Sequence, residues 1–176
     1  MPITLEPATE PDLPAIVALM NAAFRGADGQ RGWSTEADYI KGVRTSVSLL
    51  REEMAGGALY LLAREDATST LQGCVSLRAV SPEKWYLGSL TVSPALQNTG
   101  FGRKLLNASE EYAAARGAQT IEMTVVQVRD ALIAWYERRG YRRTGETRPF
   151  PYGDDRYGTP TRSDLEFVVL ARHLHV

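Results

Sequence analysis

Residues 87–107 limit the possible fold and ligand of this chain more than any other part of its sequence. An apolar run typical of a strand ends at Val92, and residues with helical spacing begin at Phe101. The link between them carries Gly100, and Gly102 follows in the first helical turn. The first N–H groups of a helix have no partner inside the helix, and glycines leave those groups accessible to an anion. The segment therefore predicts a phosphate-binding loop at the start of a helix.

The spacing of the glycines excludes two common nucleotide-binding loops. A P-loop has four residues between its glycines, whereas one residue separates Gly100 from Gly102. A dinucleotide fingerprint has a third glycine three residues after the second, and that position is Leu105. The pattern that remains is Gln97-x-x-Gly100-x-Gly102 after an apolar strand. A tight strand-to-helix turn that binds nothing stays open as the alternative.

A second motif occupies residues 135–141, after another predicted strand. It reads Trp-Tyr-Glu-Arg-Arg-Gly-Tyr. Together, the glycine loop and this motif resemble the acetyl-CoA loop and the second signature of the GNAT N-acetyltransferases, in the family's order. The resemblance covers residues 87–141 in sequence and about residues 3–169 in the order of strands and helices.

The resemblance implies where acetyl-CoA, the acetyl donor, is bound. It assigns cofactor contacts to the end of the strand and to the loop: Leu90, Thr91, Val92, Gln97, Asn98, Thr99, Gly100, Phe101, Gly102 and Arg103. It gives the Val92 backbone N–H the role of stabilising the thioester oxygen. It makes Tyr136 the general acid, since a phenol with an ordinary pKa of about 10 stays protonated at neutral pH. A purely structural aromatic is the alternative for Tyr136.

Three positions depart from the family pattern. Arg129 stands where members often have Asn, and it either adds charge to cofactor or acceptor binding or is structural. Gly88 and Ser89 stand where relatives often have a carboxylate base. Five other carboxylates cannot be ranked as bases from sequence: Glu83, Glu122, Asp154, Asp155 and Asp164. We therefore expect a water relay or a base from the acceptor loop.

The acceptor site is the least determined part. Recognition chemistry in the excursion over residues 23–54 is offered by Trp33, Tyr39 and Arg44, although aromatic packing is an equal interpretation of the first two. The loop over residues 148–163 mixes aromatics with both charge signs, and it could cap an amine site or form a dimer contact. The acceptor is predicted to be the primary amine of a small or amino-acid-like molecule.

Hydrophobic periodicity predicts a mixed α/β chain. Predicted strands cover residues 3–6, 58–64, 71–80, 85–92, 119–126, 141–146 and 164–174. Helices are predicted from residue 9, through residues 36–39, over 45–54, from 97 to 116 and over 129–139. The resemblance assembles them into the GNAT fold, a mostly antiparallel sheet of about seven strands with helices on both faces.

Composition sets the remaining expectations. The length of 176 residues suits one domain, residues 1–176. The net charge of −1 creates no positive electrostatic potential that would attract nucleic acid or an anionic membrane, so neither is expected as a partner. The single Cys74 points to a reducing compartment, and no segment reads as a signal peptide or membrane span, so a cytoplasmic location is expected. His173 and His175 have no ligand cluster around them, so no metal is predicted. A homodimer is possible.

Two functions follow from these observations. The first is an acetyl-CoA-dependent N-acetyltransferase that transfers its acetyl group directly in a ternary complex. The second is a non-catalytic acyl-CoA sensor or interaction module on the same fold, which the missing base at residues 88 and 89 favours. A tyrosine at residue 136 favours the enzyme.

Overall fold

The computed structural model of the chain describes residues 3–26, 36 and 39–174. Its strands are β1 (Glu6–Pro7), β2 (Ile40–Lys41), β3 (Leu59–Arg64), β4 (Leu71–Ala79), β5 (Lys84–Val92), β6 (Thr120–Val126), β7 (Arg142–Pro149), β8 (Thr159–Pro160) and β9 (Glu166–His173). Its helices are α1 (Leu13–Arg25), α2 (Val47–Ala55), α3 (Phe101–Ala114) and α4 (Asp130–Glu137).

Seven of the strands form one sheet in the order β1-β3-β4-β5-β6-β9-β7. All neighbours in it are antiparallel except β5 and β6, which are parallel. The remaining two strands, β2 and β8, pair with each other in a small second sheet. The predicted fold class, a mixed α/β chain with a mostly antiparallel seven-stranded sheet, is confirmed.

Side chains alternate across the sheet and bury a helix pair on each face. In β3, Tyr60 and Leu62 pack in a cluster with residues of α1 and α2, whereas Leu61 packs in a cluster with residues of α3 and α4. Successive residues of a strand point to opposite faces, so both faces of β3 are apolar because both are covered. The helices therefore flank the sheet on both sides, as predicted.

Glycines fix the entry to α3. Gly100 is the residue before the helix and has a φ of 86°, a left-handed conformation that glycine adopts without steric cost. Below the helix, a Cβ on Gly73 of β4 would lie 2.8 Å from the Thr91 carbonyl oxygen and 3.1 Å from Phe101. The start of α3 therefore packs closely on the sheet because residue 73 has no side chain.

Three predicted elements differ from the structure. The first strand lies at Glu6–Pro7 rather than over residues 3–6, because its pairing with β3 begins only there. The loop over residues 148–163 is partly ordered, since β7 pairs with β9 as far as Pro149 and β8 pairs with β2. The helix predicted through residues 36–39 falls mostly outside the described residues, and Tyr39 itself lies in a turn that leads into β2.

Within the described ranges, none of the helices has the length and apolar character that crossing a membrane requires. Cys74 is a free, fully buried thiol in β4, and burial raises its pKa to about 12. The prediction of a buried structural thiol at this position is confirmed.

Candidate functional site

The two parallel strands in the middle of the sheet separate and leave a fork. They pair only where Lys84, Trp85 and Tyr86 of β5 meet β6, although β5 continues to Val92. Glu122 holds the closed end of the fork, with ion pairs of 2.6 Å to Lys84 and 2.6 Å to Arg148. The open end exposes the edges of both strands to whatever lies between them.

A bulge in β5 turns its last residues toward this opening. The pairing with β4 shifts register opposite Val75, and Ser89 has a φ of 52°. Further on, the Ser93 N–H donates to the Gln72 carbonyl of β4 at 2.8 Å. Neighbouring residues of a strand direct their N–H groups to opposite edges, so the Val92 N–H points away from β4 and into the fork.

The glycine loop borders the same opening. Gln97 Nε2 donates to the Val92 carbonyl at 3.3 Å, which holds the loop at the end of β5. A Cβ on Gly102 would meet Trp135 and Val92 at an ordinary 3.6 Å, so packing does not require glycine there. The open space at this helix start suits an anionic ligand that approaches the backbone N–H groups.

The other side of the opening is formed by α4. Arg129 precedes the helix, and Tyr136 is 6% exposed, with its ring 5.0 Å from the Trp135 ring and 5.7 Å from the Tyr141 ring. Burial raises the pKa of Tyr136, and the Arg129 charge only partly offsets this effect. The Arg139 guanidinium stacks on Trp135 at 3.8 Å.

One cavity of about 1000 Å³ connects these features. We call the part next to the loop and α4 the α3–α4 half. It is lined by Val92, Gln97, Asn98, Gly100, Gly102, Arg103, Arg129, Leu132, Trp135, Tyr136 and Arg139. The part next to the first two helices and β3 is the α1–α2 half, and its lining includes Phe24, Glu36, Arg44, Glu53 and Tyr60. Gly88 and Ser89 lie along the same cavity.

Charged side chains dominate the α1–α2 half. Tyr60 donates to Glu53 at 2.5 Å, and Arg44 Nη2 donates to Ser89 Oγ at 3.4 Å. Burial raises the pKa of Tyr60, the Glu53 charge adds to this, and Arg44 and a hydrogen bond from Ser89 act against it. Tyr60 therefore lies between Glu53 on one side and Ser89 with Arg44 on the other.

Most of the residues predicted to bind the cofactor line this cavity, but three side chains do not. Thr91 is buried and donates to the Ser89 carbonyl at 2.7 Å. Thr99 donates to the Leu96 carbonyl, and Phe101 packs toward Gly73. Their predicted role can involve only their backbone groups, whereas Leu90 and Arg103 face the cavity with the remaining predicted residues.

None of the five carboxylates considered as bases lines the cavity. Glu122 is engaged at the closed end of the fork, Asp154 pairs with Arg156, and Asp164 pairs with Arg162. Within the described residues, the carboxylates that line the cavity are Glu36 and Glu53. Neither was singled out in the sequence, because nothing local to them marks a site.

Two of the three residues proposed to recognise the acceptor are described in the structure, and of these two Arg44 lines the cavity. Tyr39 packs with Ile40, Val126 and Leu165, which supports the packing interpretation. Trp33 lies outside the described residues. The loop after β7 approaches the site, since Arg156 pairs with Glu52 of α2 at 3.1 Å.

A second, smaller cavity of about 560 Å³ lies behind α3. Four arginines line it with Asn107 and Gly140: Arg103, Arg138, Arg139 and Arg172. Of these four, only Arg103 was predicted to bind the cofactor. Arg138 and Arg139 belong to the second motif without an assigned role, and Arg172 lies in β9, far from both motifs in the sequence. Among the described residues, no group of three His, Cys, Asp or Glu side chains could hold a metal ion.

The chain shares its fold with solved structures of proteins named as acetyltransferases. A ribosomal-protein-alanine N-acetyltransferase from Brucella melitensis is 21% identical with a TM-score of 0.66, and the match covers 98% of this chain and 100% of that one. A GNAT family acetyltransferase from Elizabethkingia anophelis with acetyl-CoA bound is 17% identical with a TM-score of 0.62, over 98% of both chains. A chimera of the Vibrio cholerae spermidine N-acetyltransferase is 17% identical with a TM-score of 0.69, over 98% of this chain and 96% of that one.

The sequence itself identifies the family. The model of the acetyltransferase (GNAT) family matches residues 14–141, so the chain belongs to this family. No curated protein is significantly similar in sequence. The prediction from the two motifs that the chain is a GNAT N-acetyltransferase is confirmed, and the donor substrate of this family is acetyl-CoA.

Proposed function

We propose that this protein transfers an acetyl group from acetyl-CoA directly to the primary amine of a small molecule while both are bound. The observation that carries the proposal is that one continuous cavity of about 1000 Å³ extends from the glycine loop to the charged residues of the α1–α2 half. A donor and an acceptor can meet there at the fork between β5 and β6. Direct transfer also fits the one cysteine, which is buried in the sheet and does not line the cavity.

Acetyl-CoA supplies the activated acetyl group as a thioester. In the proposed site, the N–H groups of residues 100–103 and Arg103 bind its phosphates at the start of α3. The Val92 N–H, which points into the fork, donates to the thioester oxygen and stabilises the negative charge that develops there. Arg129 adds positive charge on the opposite side of the cavity.

Proton transfers complete the reaction. An amine is largely protonated at neutral pH, so one N–H bond must break before its lone pair can attack the acetyl carbon. Glu53 accepts this proton, directly or through water, because it is a cavity-lining carboxylate that Tyr60 holds in place. As the C–N bond forms and the C–S bond breaks, Tyr136 gives its proton to the departing sulfur. The second proton that leaves the nitrogen returns to Tyr136 through water, and burial favours the neutral phenol that this step needs.

A thiol-release assay with acetyl-CoA tests this proposal. The protein is incubated with amines, amino acids, polyamines, aminoglycosides and peptides, and free CoA is measured over time. We expect release above the hydrolysis background with at least one small primary amine, and a mass increase of one acetyl group in that amine. Acetyl-CoA binding without acetylation of any amine would instead favour the acyl-CoA sensor.

A further inference from the structure

The α1–α2 half of the cavity has one wall with excess positive charge. Glu36 lies 3.3 Å from Arg25 and 4.0 Å from Arg44, so within the described part of the chain one carboxylate faces two guanidinium groups. Burial lowers the pKa of Arg25, and the charge of Arg44 lowers it further. Arg25 is committed to backbone carbonyls, including that of Tyr157 at 2.8 Å, whereas Arg44 lines the cavity. The excess charge is therefore presented to the cavity by Arg44.

The opposite wall has excess negative charge. Glu53 accepts a hydrogen bond from Tyr60, which is a neutral donor, and no described lysine or arginine lies within 4.0 Å of its carboxylate. The adjacent Glu52 is different, because it pairs with Arg156 outside the cavity. Glu53 therefore presents to the cavity a carboxylate that has no cation partner among the described residues.

These two walls meet next to the fork. Ser89 lies on the bulge of β5 and accepts from Arg44 Nη2 at 3.4 Å, and it lines the same cavity as Tyr60, the partner of Glu53. A cation site and an anion site thus lie on either side of the Tyr60 hydroxyl. A ligand that fills this space displaces water from both charged groups, so it must match both charges, because a desolvated charge without a counterion is costly.

We infer that the acceptor is a small zwitterion, whose amino group approaches Glu53 and whose carboxylate or other anionic group is bound by Arg44 and Ser89. This inference rests on the proposed function, since it concerns the acceptor of the same transfer. A simple amine or a polyamine does not fit as well, because it places no negative group against Arg44. The aromatic lining, including Phe24, Tyr86 and Phe167, offers room for an apolar side chain.

Matched acceptor pairs test the anion site. L-methionine and L-phenylalanine are compared with L-methioninamide and L-phenylalaninamide, which keep the amine and lose the carboxylate, and putrescine is included as an amine without an anion. We expect kcat/KM for each amino acid to exceed that for its amide by about tenfold or more, the effect of losing one charged hydrogen-bond partner. Amides or putrescine acetylated as well as the amino acids would overturn the inference.

Two variants locate the effect. Arg44→Gln removes the guanidinium charge, and Ser89→Ala removes the hydroxyl beside it without touching the ion pair with Glu36. Both should bring the ratio between amino acid and amide toward 1, Arg44→Gln more strongly, while Arg143→Gln on the exposed strand β7 should keep the wild-type ratio. An unchanged ratio in both site variants, with wild-type circular dichroism, would overturn the assignment.

Calorimetry with acetyl-CoA separates this inference from the proposed function. If acetyl-CoA binds and the protein acetylates only acceptors without an anionic group, the proposed transfer stands and the inference of a zwitterionic acceptor is wrong. If acetyl-CoA binds and no amine in either panel is acetylated, both the inference of a zwitterionic acceptor and the proposed transfer to small amines are wrong. Failure to bind acetyl-CoA would contradict the α3–α4 half of the site independently of the acceptor.

Discussion

The two halves of the cavity are built in different ways. The α3–α4 half owes its donor groups mainly to backbone N–H groups at one strand end and one helix start, within residues 92–103. The α1–α2 half is made of side chains from separate parts of the chain, such as Arg44, Glu53 and Ser89. A ligand shared by a whole family can be recognised by backbone geometry, whereas a particular acceptor needs particular side chains.

The largest effect should come from closing the α3–α4 half. Gly102→Glu places a bulky negative group at the helix start, and like charges that meet in a binding site cost several kcal/mol. We expect the affinity for acetyl-CoA, measured by calorimetry, to fall by about 10³-fold while the circular dichroism spectrum persists.

Gly102→Ala is the matched control. Its Cβ would lie 3.6 Å from Trp135 and Val92, an ordinary contact, so the fold has room for it. We expect the alanine variant to keep its stability and to lose far less affinity than the glutamate variant. If a folded Gly102→Glu protein binds acetyl-CoA normally, the glycine loop is only a turn. The α3–α4 half would then not recognise acetyl-CoA through its backbone, and the proposed difference between the two halves would be wrong.

Removal of one hydroxyl between the two halves should have the next largest effect. Tyr136→Phe keeps the ring packed against Trp135 and Tyr141 but removes the transferable proton. We expect kcat to fall by about 10²-fold with little change in acetyl-CoA affinity, which is the usual scale for general acid catalysis.

Tyr112→Phe on α3 serves as a control, because the Tyr112 ring packs against the core, stacks with Arg116 at 3.4 Å and does not line the cavity. Its kcat should equal that of wild type. A Tyr136→Phe enzyme within about threefold of wild type, measured where chemistry limits turnover, would end the acid assignment and leave Tyr136 as a core aromatic.

Arg129 can be assigned to one half or the other. Arg129→Ala removes a cavity-lining charge opposite the glycine loop, and we expect the KM of one substrate to rise by about tenfold, since a charged contact contributes about 1.5–3 kcal/mol. A rise for acetyl-CoA assigns the residue to the α3–α4 half, and a rise for the amine assigns it to the other. Equal KM values in Arg129→Ala and the exposed control Arg143→Ala would make Arg129 structural.

The smallest effect on activity should come from a change at the closed end of the fork. Both halves of the cavity depend on this fork, so the KM values of both substrates should change together. Burial disfavours the charge of Glu122, but hydrogen bonds from Lys84 and Arg148 outweigh it and lower its pKa. Glu122→Gln should reduce the free energy of unfolding at pH 7 by about 1–3 kcal/mol, with only small, parallel changes in both KM values.

The pH dependence of this variant has a definite sign. A carboxylate with a lowered pKa stabilises the fold above its unfolded pKa of about 4.3, and this contribution is lost as the pH falls through the folded pKa. Denaturant titrations should therefore show a gap between wild type and Glu122→Gln at pH 7 that narrows below about pH 4. A gap that does not depend on pH would attribute the loss to packing rather than to charge.

The sequence motifs named most of the residues that line the α3–α4 half, because the information in these motifs is local. The spacing of Gly100 and Gly102 and the position of Tyr136 lie within continuous strand-to-helix segments, and the structure brings them to one cavity. Thr91, Thr99 and Phe101 were included because they belong to the motif, and spacing alone cannot tell a side chain that faces the cavity from one that faces the core.

The other half could not be predicted for a physical reason. Tyr60 is a single tyrosine in an apolar strand, and its contact with Glu53 depends on how α2 packs on β3. The pairing of β2 with β8 joins segments that are far apart in the chain, and neither strand has a hydrophobic pattern of useful length. Side-chain charges that work together only after folding leave no periodic signal.

Arg25 has a consequence for how the protein is made in the cell. It ends α1, yet its guanidinium donates to the Tyr157 carbonyl, which belongs to a residue synthesised 132 positions later. Until the ribosome has released that segment, a charge that is buried in the finished protein lacks one of its acceptors. The wall that Arg25 shares with Glu36 and Arg44 is therefore encoded early but completed only after Tyr157 has been synthesised, so chains that terminate before this residue should be unable to form it.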